Sequence, residues 1–454
     1  MSDDAVRAPG HGKLPVRTKL GFGVADLGGN LYFTAMSFWT MAYLTDTVKL
    51  SPALAGVAVM VAKIWDAVND PLMGFISDRT KTRLGRRRPY ILFAAVPLML
   101  FMWMFYTAPR FTDPIVLTVW ATAALCLLNT AFTAVNIPYG ALTPELTDDY
   151  NERTSLNGYR FSFAVVGTIV GAGAVLPLVG LGADRRAGFA IVGLVLGAVM
   201  AVSSIITGVS VRERPRDPDE KHESFLATYL VVFRNKPYLV LLFTYALHLA
   251  GIAFLSGILV YYFKYLFGNE GLTTMAMLIL LVVAMASIPV SVVLSKRIGK
   301  KLVYQLSFLI MAAGCMVIYL LGHVLGPTFT IAMMAVTGIG LGFAYVPPFA
   351  MLPDAIELEA LNTGIRREGA YYGIWTFMAS LFQSGAMALL GFILSIAGYV
   401  PDIAQGPAAL GAIRLMIGPI PAVILVGATV LVQFYPIDEK TYESTLAAHR
   451  AEKA

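Results

Sequence analysis

Runs of about 20 or more mainly apolar residues recur along the whole chain, separated by short polar or basic connections, and each run is long enough to cross a bilayer as a helix. The pattern predicts helices near residues 19 to 46, 52 to 78, 89 to 108, 114 to 144, 154 to 181 and 187 to 211. Six more are expected near 237 to 267, 271 to 296, 302 to 322, 328 to 354, 368 to 398 and 410 to 435. The polar segment 212–236 falls near the middle, so the expected organisation is an N-terminal half (residues 1–211), a cytoplasmic central linker (residues 212–236) and a C-terminal half (residues 237–454). The fold class that follows is an all-α polytopic membrane protein of about 12 transmembrane helices in two six-helix halves.

The two halves echo each other. IPYGALTPE (Ile137 to Glu145) matches VPPFAMLPD (Val346 to Asp354) without a gap: Pro138 falls on Pro347, Pro144 on Pro353 and Glu145 on Asp354, and both stretches end the fourth apolar span of their half. A weaker echo pairs SDRTKTRLGRRR after the second span with SKRIGKK (Ser295 to Lys301) after the eighth. Parallel repeats of this kind are a common way to build transporters, with the substrate held where the repeats meet.

Charge adds an orientation. Arg17, Lys19, Arg79, Lys81, Arg83, Arg86, Arg87, Arg88, Arg153, Arg212, Arg214, Arg216, Lys296, Arg297, Lys300, Lys301, Arg366 and Arg367 fall on one set of alternate connections, and Lys49, Arg110, Arg185 and Arg186 are the main exceptions. The positive-inside rule makes that side cytoplasmic, with both termini inside and the protein multi-pass in the plasma (inner) membrane. A composition of 57% hydrophobic and 14% charged residues is too apolar for a single soluble core. The formal charge of +6 sits in short loops, so it reports topology and does not call for nucleic acid. The first 17 residues are polar and basic, unlike a removable signal segment. Cys126 and Cys315 lie in separate apolar runs and are expected to be packing residues.

Candidate chemistry concentrates between Lys63 and Tyr90 (KIWDAVNDPLMGFISDRTKTRLGRRRPY). Asp66 and Asp70 stand four apart and share a helix face with Asn69. Acids inside a span are costly and point to function. Their coupled titration suits a proton, and their oxygens suit a hard monovalent cation. A plainer alternative is a buried ion pair with Lys63. Asp26 and Asn30, also four apart, lie beside Gly28 and Gly29 on the first helix, where they either face a central cavity or bond a neighbouring helix. Arg160 either donates a bidentate pair to a substrate or snorkels to the interface. Tyr371, Tyr372 and Trp375 form an interfacial belt or a stacking platform, the belt being favoured for the tyrosines. His248 is expected to be a packing residue. Asp354, Glu357 and Glu359, with Arg366 and Arg367, are candidates for an inner gate.

The loop Gly74 to Arg88 resembles the loop joining helices 2 and 3 of the major facilitator superfamily, which implies the major facilitator fold and a conformational lock formed by Asp78, Arg79, Arg86, Arg87 and Arg88. WDAVNDPLMG (Trp65 to Gly74) is similar to the helix 2 signature of the glycoside, pentoside and hexuronide cation symporters, the melibiose permease group, and the likeness covers nearly the whole chain. That resemblance implies a cation site at Asp66, Asn69, Asp70 and Thr133, and a sugar site at Asn30, Asn136 and Arg160, to which Asp26 and Trp375 are added from their positions. Melibiose permease has carboxylates where Asn30 and Asn136 stand, an aromatic ring at Gly140 and a lysine near Ser380, so the resemblance carries the ion site further than the cargo.

The expected function is cation-coupled symport of a sugar or glycoside-like solute by alternating access. Na+ is the expected coupling cation, with H+ or Li+ as alternatives. Carriage of a lysolipid or other amphiphile, or uncoupled facilitation, remains open. No Walker-type GxxxxGK[ST] occurs, and no nucleophile, base and orienting partner stand at recognisable spacing, so the chain is not expected to be an enzyme. No cofactor is expected. The partners are the lipid bilayer, a small-molecule substrate and the cation, and the protein is expected to be a monomer.

Overall fold

In the computed structural model, residues 14–146, 150–213, 232–363 and 368–437 are described, apart from the side chains of residue 78 and of a few positions beside the breaks. Among the described residues the regular elements are helices. These are α1 (Val16–Ala42), α2 (Pro52–Arg79), α3 (Arg88–Phe93), α4 (Ala95–Tyr106), α5 (Pro114–Leu146), α6 (Tyr150–Gly173), α7 (Val175–Val179) and α8 (Arg185–Ser210). There follow α9 (Lys236–Leu266), α10 (Gly271–Ile298), α11 (Lys300–Val317), α12 (Pro327–Thr363), α13 (Glu368–Ile396), α14 (Pro407–Ile417) and α15 (Pro419–Gln433). Short π-helical turns extend α1 (Tyr43–Thr47) and α11 (Ile318–Gly322).

Among the described residues, ten segments are long and apolar enough to cross a membrane. The helices α1 and α6 are not among them, because α1 carries Arg17, Lys19, Asp26 and Asn30 while α6 carries Glu152, Asn157 and Arg160. Large apolar side chains lie exposed along the other helices, as a lipid solvent requires, Phe93, Ile115, Val119, Ile396 and Val423 among them.

Three spans expected to be continuous are interrupted, at Ala94, Ala174 and Gly418. Each break lies three residues before a proline, Pro97, Pro177 or Pro421. A proline ring clashes with the carbonyl four residues back. Those carbonyls belong to Phe93, Gly173 and Ile417, each the last residue of the helix before the break. By contrast, Pro71, Pro289, Pro347, Pro348 and Pro353 sit inside unbroken helices.

The chain condenses into two compact units. One comprises Met1–Ala35, Val68–Pro109 and Ala123–Glu220, and the other Met36–Ala67, Arg110–Thr122 and Lys221–Ala454. In the first unit, α4 packs along α8 through Leu98, Met102, Phe105 and Tyr106 against Phe189, Val192, Leu196 and Met200, all buried, with Tyr106 stacked on Phe189 at 5.6 Å. Helices α1 and α6 are pinned at their starts by a salt bridge of 2.8 Å between the buried Lys19 and Glu152. Farther along they nearly touch: a Cβ on Gly167 would lie 2.2 Å from the Leu27 carbonyl oxygen. This close approach sets Asp26 of α1 beside Arg160 of α6. In the second unit, α9 is the core helix, buried on most sides from Tyr238 to Phe263. There Lys300, at the start of α11, donates to Asp354 of α12 at 2.6 Å. That pair joins the eighth-to-ninth connection to the C-terminal repeat motif, whose N-terminal counterpart Glu145 has its side chain outside the described residues.

Candidate transport site

Helix α2 is unbroken through Pro71, so Asp66, Asn69 and Asp70 keep the shared face that their spacing implies. Thr133 of α5, only 1% exposed, donates to Asp70 Oδ1 at 2.7 Å. The buried amide nitrogen Nδ2 of Asn69 has no hydrogen-bond partner. Asp66 accepts from Lys63 at 3.4 Å, so the ion-pair alternative is realised for that acid. Asp70 and Thr133 are thus joined in the first unit, with Asn69 adjacent on α2 and Asp66 one turn earlier on the same helix.

The second cluster extends the expected sugar site. Arg160 donates from Nε to Asp26 Oδ2 at 2.6 Å and from Nη2 to Oδ1 at 3.3 Å, a two-pronged contact that no interfacial snorkelling would produce. Tyr139 of α5 donates its hydroxyl to Asp26 Oδ2 at 2.5 Å and accepts from Arg160 Nε at 3.0 Å. Asn30 donates to the Asp26 carbonyl oxygen at 2.8 Å. Beside this cluster a small cavity is lined by Ala25, Gly28, Gly29, Asn136, Tyr139 and Ser204, among others. Tyr139 has no place among the sequence-derived candidates; it lies inside the IPYGALTPE motif, and its helical position, three residues after Asn136, was the available signal.

Two expectations on α13 are corrected. Trp375 is 2% exposed and its ring face is covered by Tyr245, stacked at 4.3 Å and 15°, so it offers no open platform. Tyr371 is 1% exposed, accepts from Asn235 at 3.2 Å and receives Tyr238 edge-on, which makes it a core residue and not part of an interfacial belt. Tyr372 is exposed. His248 is buried against Tyr304 and Phe308, in keeping with a packing role. Cys126 is half-buried and Cys315 buried, and neither is in a disulfide.

Of the proposed lock, the Asp78 side chain lies outside the described residues, as do Arg366 and Arg367 of the candidate inner gate. The Arg79 guanidinium stacks on Phe75 at 3.4 Å. For Arg86, Arg87 and Arg88 the decisive contacts are backbone ones: their N–H groups donate to the Glu213 carboxylate at 2.6, 2.9 and 2.6 Å. Glu213 thereby caps the start of α3, where an anion is favoured. Gly85 makes this possible: its φ is +106°, and a Cβ there would lie 2.5 Å from the Glu213 carboxyl carbon.

A further cluster in the second unit had no counterpart in the sequence expectations. Asp46, in the π turn after α1, is 1% exposed and accepts from Tyr399 at 2.5 Å, Tyr265 at 3.1 Å, Thr45 at 2.9 Å and Lys264. Lys264 also donates to Asp402 at 2.7 Å, and Lys49 pairs with Asp402 as well. Lys49 and Asp402 are the non-glycine residues with positive φ among those described, at 67° and 62°. Burial tends to raise the Asp402 carboxyl, but the hydrogen bonds and charges of Lys264 and Lys49 outweigh it and bring it down to about 2.

These sites sit in a chain whose residues 21–439 match the family model for MFS/sugar transport proteins. The chain belongs to that family. The relationship bears out the resemblance to the glycoside, pentoside and hexuronide symporter group. A relative provisionally named as a sulfoquinovose importer, from Escherichia coli (strain K12), is 31% identical over 95% of this chain and 92% of its own. The isoprimeverose transporter of Lactiplantibacillus pentosus is 29% identical over 94% and 90%. The fold is matched by the crystal structure of a bacterial homologue of the human lysosomal transporter Spinster, with a TM-score of 0.70 at 15% identity over 96% of this chain and 99% of that one. The protein is therefore a multi-pass membrane transporter of the sugar-transport type with the all-α major facilitator fold, and it is not an enzyme.

Proposed function

We propose that this sugar-type transporter is a cation-coupled symporter, with Asp70, Asn69, Thr133 and, one turn earlier, Asp66 holding the ion. The observation that carries this is the Thr133 hydroxyl bonded to the Asp70 carboxylate, on the α2 face that also bears Asn69 and Asp66. Carboxylate, amide and hydroxyl oxygens are the donor set that a hard monovalent cation takes, and Na+ fits them, with Li+ or a proton as substitutes. Lys63 neutralises Asp66 while the ion is away, so ion entry and release of Lys63 exchange one positive charge for another. The sugar binds at Asn136 and Tyr139, next to Asn30, Asp26 and Arg160, where the small cavity seen here widens to admit it. Binding of the ion favours the sugar-accepting form, and alternating access by two six-helix halves, residues 1–211 and 237–454 with the linker 212–236 between them, carries both across.

Both termini are assigned to the cytoplasm of a cell with this protein in its inner membrane, and the working unit is a monomer. The Glu213-held loop from Arg79 to Arg88 stiffens the cytoplasmic side, and the Asp46 cluster fastens the opposite side. The test is uptake of a sugar panel into liposomes carrying the purified protein, with imposed Na+, Li+ or proton gradients. One cation gradient should drive accumulation above equilibrium. Sugar entry at the same rate and to the same level with every gradient would show an uncoupled facilitator.

A further inference from the structure

The family resemblance leaves the charge of the cargo open: sulfoquinovose carries a sulfonate, whereas isoprimeverose is neutral, and relatives named for both resemble this chain. The geometry around Arg160 bears on the choice. None of the residues lining the cavity carries a charge. The arginine beside it commits Nε and Nη2 to Asp26, whose carboxylate also takes the Tyr139 proton. Asp26 and Arg160 have side-chain exposures of only 17% and 24%, so each strongly requires the other.

Asp26 takes the Nε–Nη2 edge of the guanidinium, so an anionic cargo must displace it or bind the remaining N–H groups beside it. Two negative charges would then face one positive charge within a membrane-embedded cavity, a net imbalance of the kind that membrane interiors penalise. A hydroxyl-rich neutral cargo meets no such barrier. Asp26 accepts three bonds, one from Tyr139 and two from Arg160, and an ionised carboxylate has about four acceptor sites, so one remains for a sugar hydroxyl. Asn136 adds an amide with both donor and acceptor capacity.

We propose that Asp26 and Tyr139 hold Arg160 as an internally neutralised donor, and that the cavity consequently selects uncharged, polyhydroxylated cargo over acidic sugars. This rests on the sugar-transport assignment above and adds a substrate class to it. Asp26 is the specificity-determining residue, and Tyr139 positions the pair without setting its charge.

The experiment uses the full-length purified protein and a panel of neutral methyl pentosides, hexosides and disaccharides, each hexose-containing member matched with its uronide, in which a carboxylate replaces the hydroxymethyl group. Affinity is measured by competition against the best-bound member. The wild type should prefer neutral members by about tenfold or more. Asp26→Asn, which keeps the shape but frees the arginine charge, should reverse that ratio toward the uronide, while Tyr139→Phe should leave the ratio on the neutral side. A wild type that favours uronides overturns the inference and leaves sugar transport standing, and so does an unchanged ratio in a folded Asp26→Asn protein. Failure of the folded wild type to bind any sugar overturns both. Because the wild-type ratio is decisive alone, a misfolded variant does not shelter the proposal.

Discussion

Two clusters in this protein use the same ingredients, an aspartate, a basic side chain and tyrosine hydroxyls, to opposite ends. Asp46 accepts four bonds, from Thr45, Tyr399, Tyr265 and Lys264, which fills the roughly four acceptor sites of a carboxylate. Asp26 accepts three, from Tyr139 and twice from Arg160, and its Tyr139 partner lines a cavity. The first cluster is closed on itself, and the second borders a small cavity. Backbone conformation divides them in the same way. Asp26 lies in a regular helix, whereas the Asp46 cluster is built from a π turn and two positive-φ residues, local conformations that survive only where surrounding contacts over-determine them.

The contrast predicts a graded series. Asp46→Ala should have the largest effect on stability, because it removes the shared acceptor of four bonds at a buried site, leaving the Tyr399, Tyr265 and Thr45 hydroxyls without it and Lys264 with Asp402 alone; an unmade buried bond costs about 1–3 kcal/mol. A clear fall in the detergent unfolding temperature would confirm it, and an unchanged one would mean the cluster is not stabilising. Tyr139→Phe comes next. It removes one of three bonds to Asp26, so about 1 kcal/mol is expected, with sugar affinity weakened and folding retained. Lys49→Ala should be smallest, at most about 1 kcal/mol, since that pair is nearly half exposed on both sides and solvent screens it.

Acidification sharpens the comparison further. Asp402 is held below its ordinary value of 3.8, at about 2, so its contribution to the folded state is complete above 3.8 and is lost as pH falls through 2. Transport profiles between pH 5 and 8 should therefore report on other groups, and thermal stability over that range should show no step from this bridge.

Much of the fold was legible in hydropathy because bilayer-crossing helices must be long and apolar, but α1 and α6 lack that signature for the reason that makes them interesting: they carry Asp26, Asn30 and Arg160. Helix breaks were less legible. Pro97, Pro177 and Pro421 interrupt spans while Pro71 and Pro289 do not, so whether neighbours satisfy the freed backbone decides the outcome. The acids of α2 could be placed from spacing, since four residues return a helix to one face. Glu213 and Asp46 could not. Glu213 lies 125 residues from the Arg88 amide it caps, and Asp46 lies 218 from Lys264, so only the folded chain brings those partners together. Trp375 shows the converse: its sequence position suggested a platform, yet Tyr245 covers it.

The central claim, that the α2 acids couple an ion to sugar movement, is tested most directly by comparing wild type with Asp70→Asn in liposomes, measuring sugar exchange at equilibrium alongside cation-driven accumulation. Exchange should persist in the variant while cation-driven accumulation disappears, because the proposed sugar residues are untouched and the carboxylate that Thr133 bonds loses its charge. Full cation-driven accumulation in a folded Asp70→Asn protein would contradict the account.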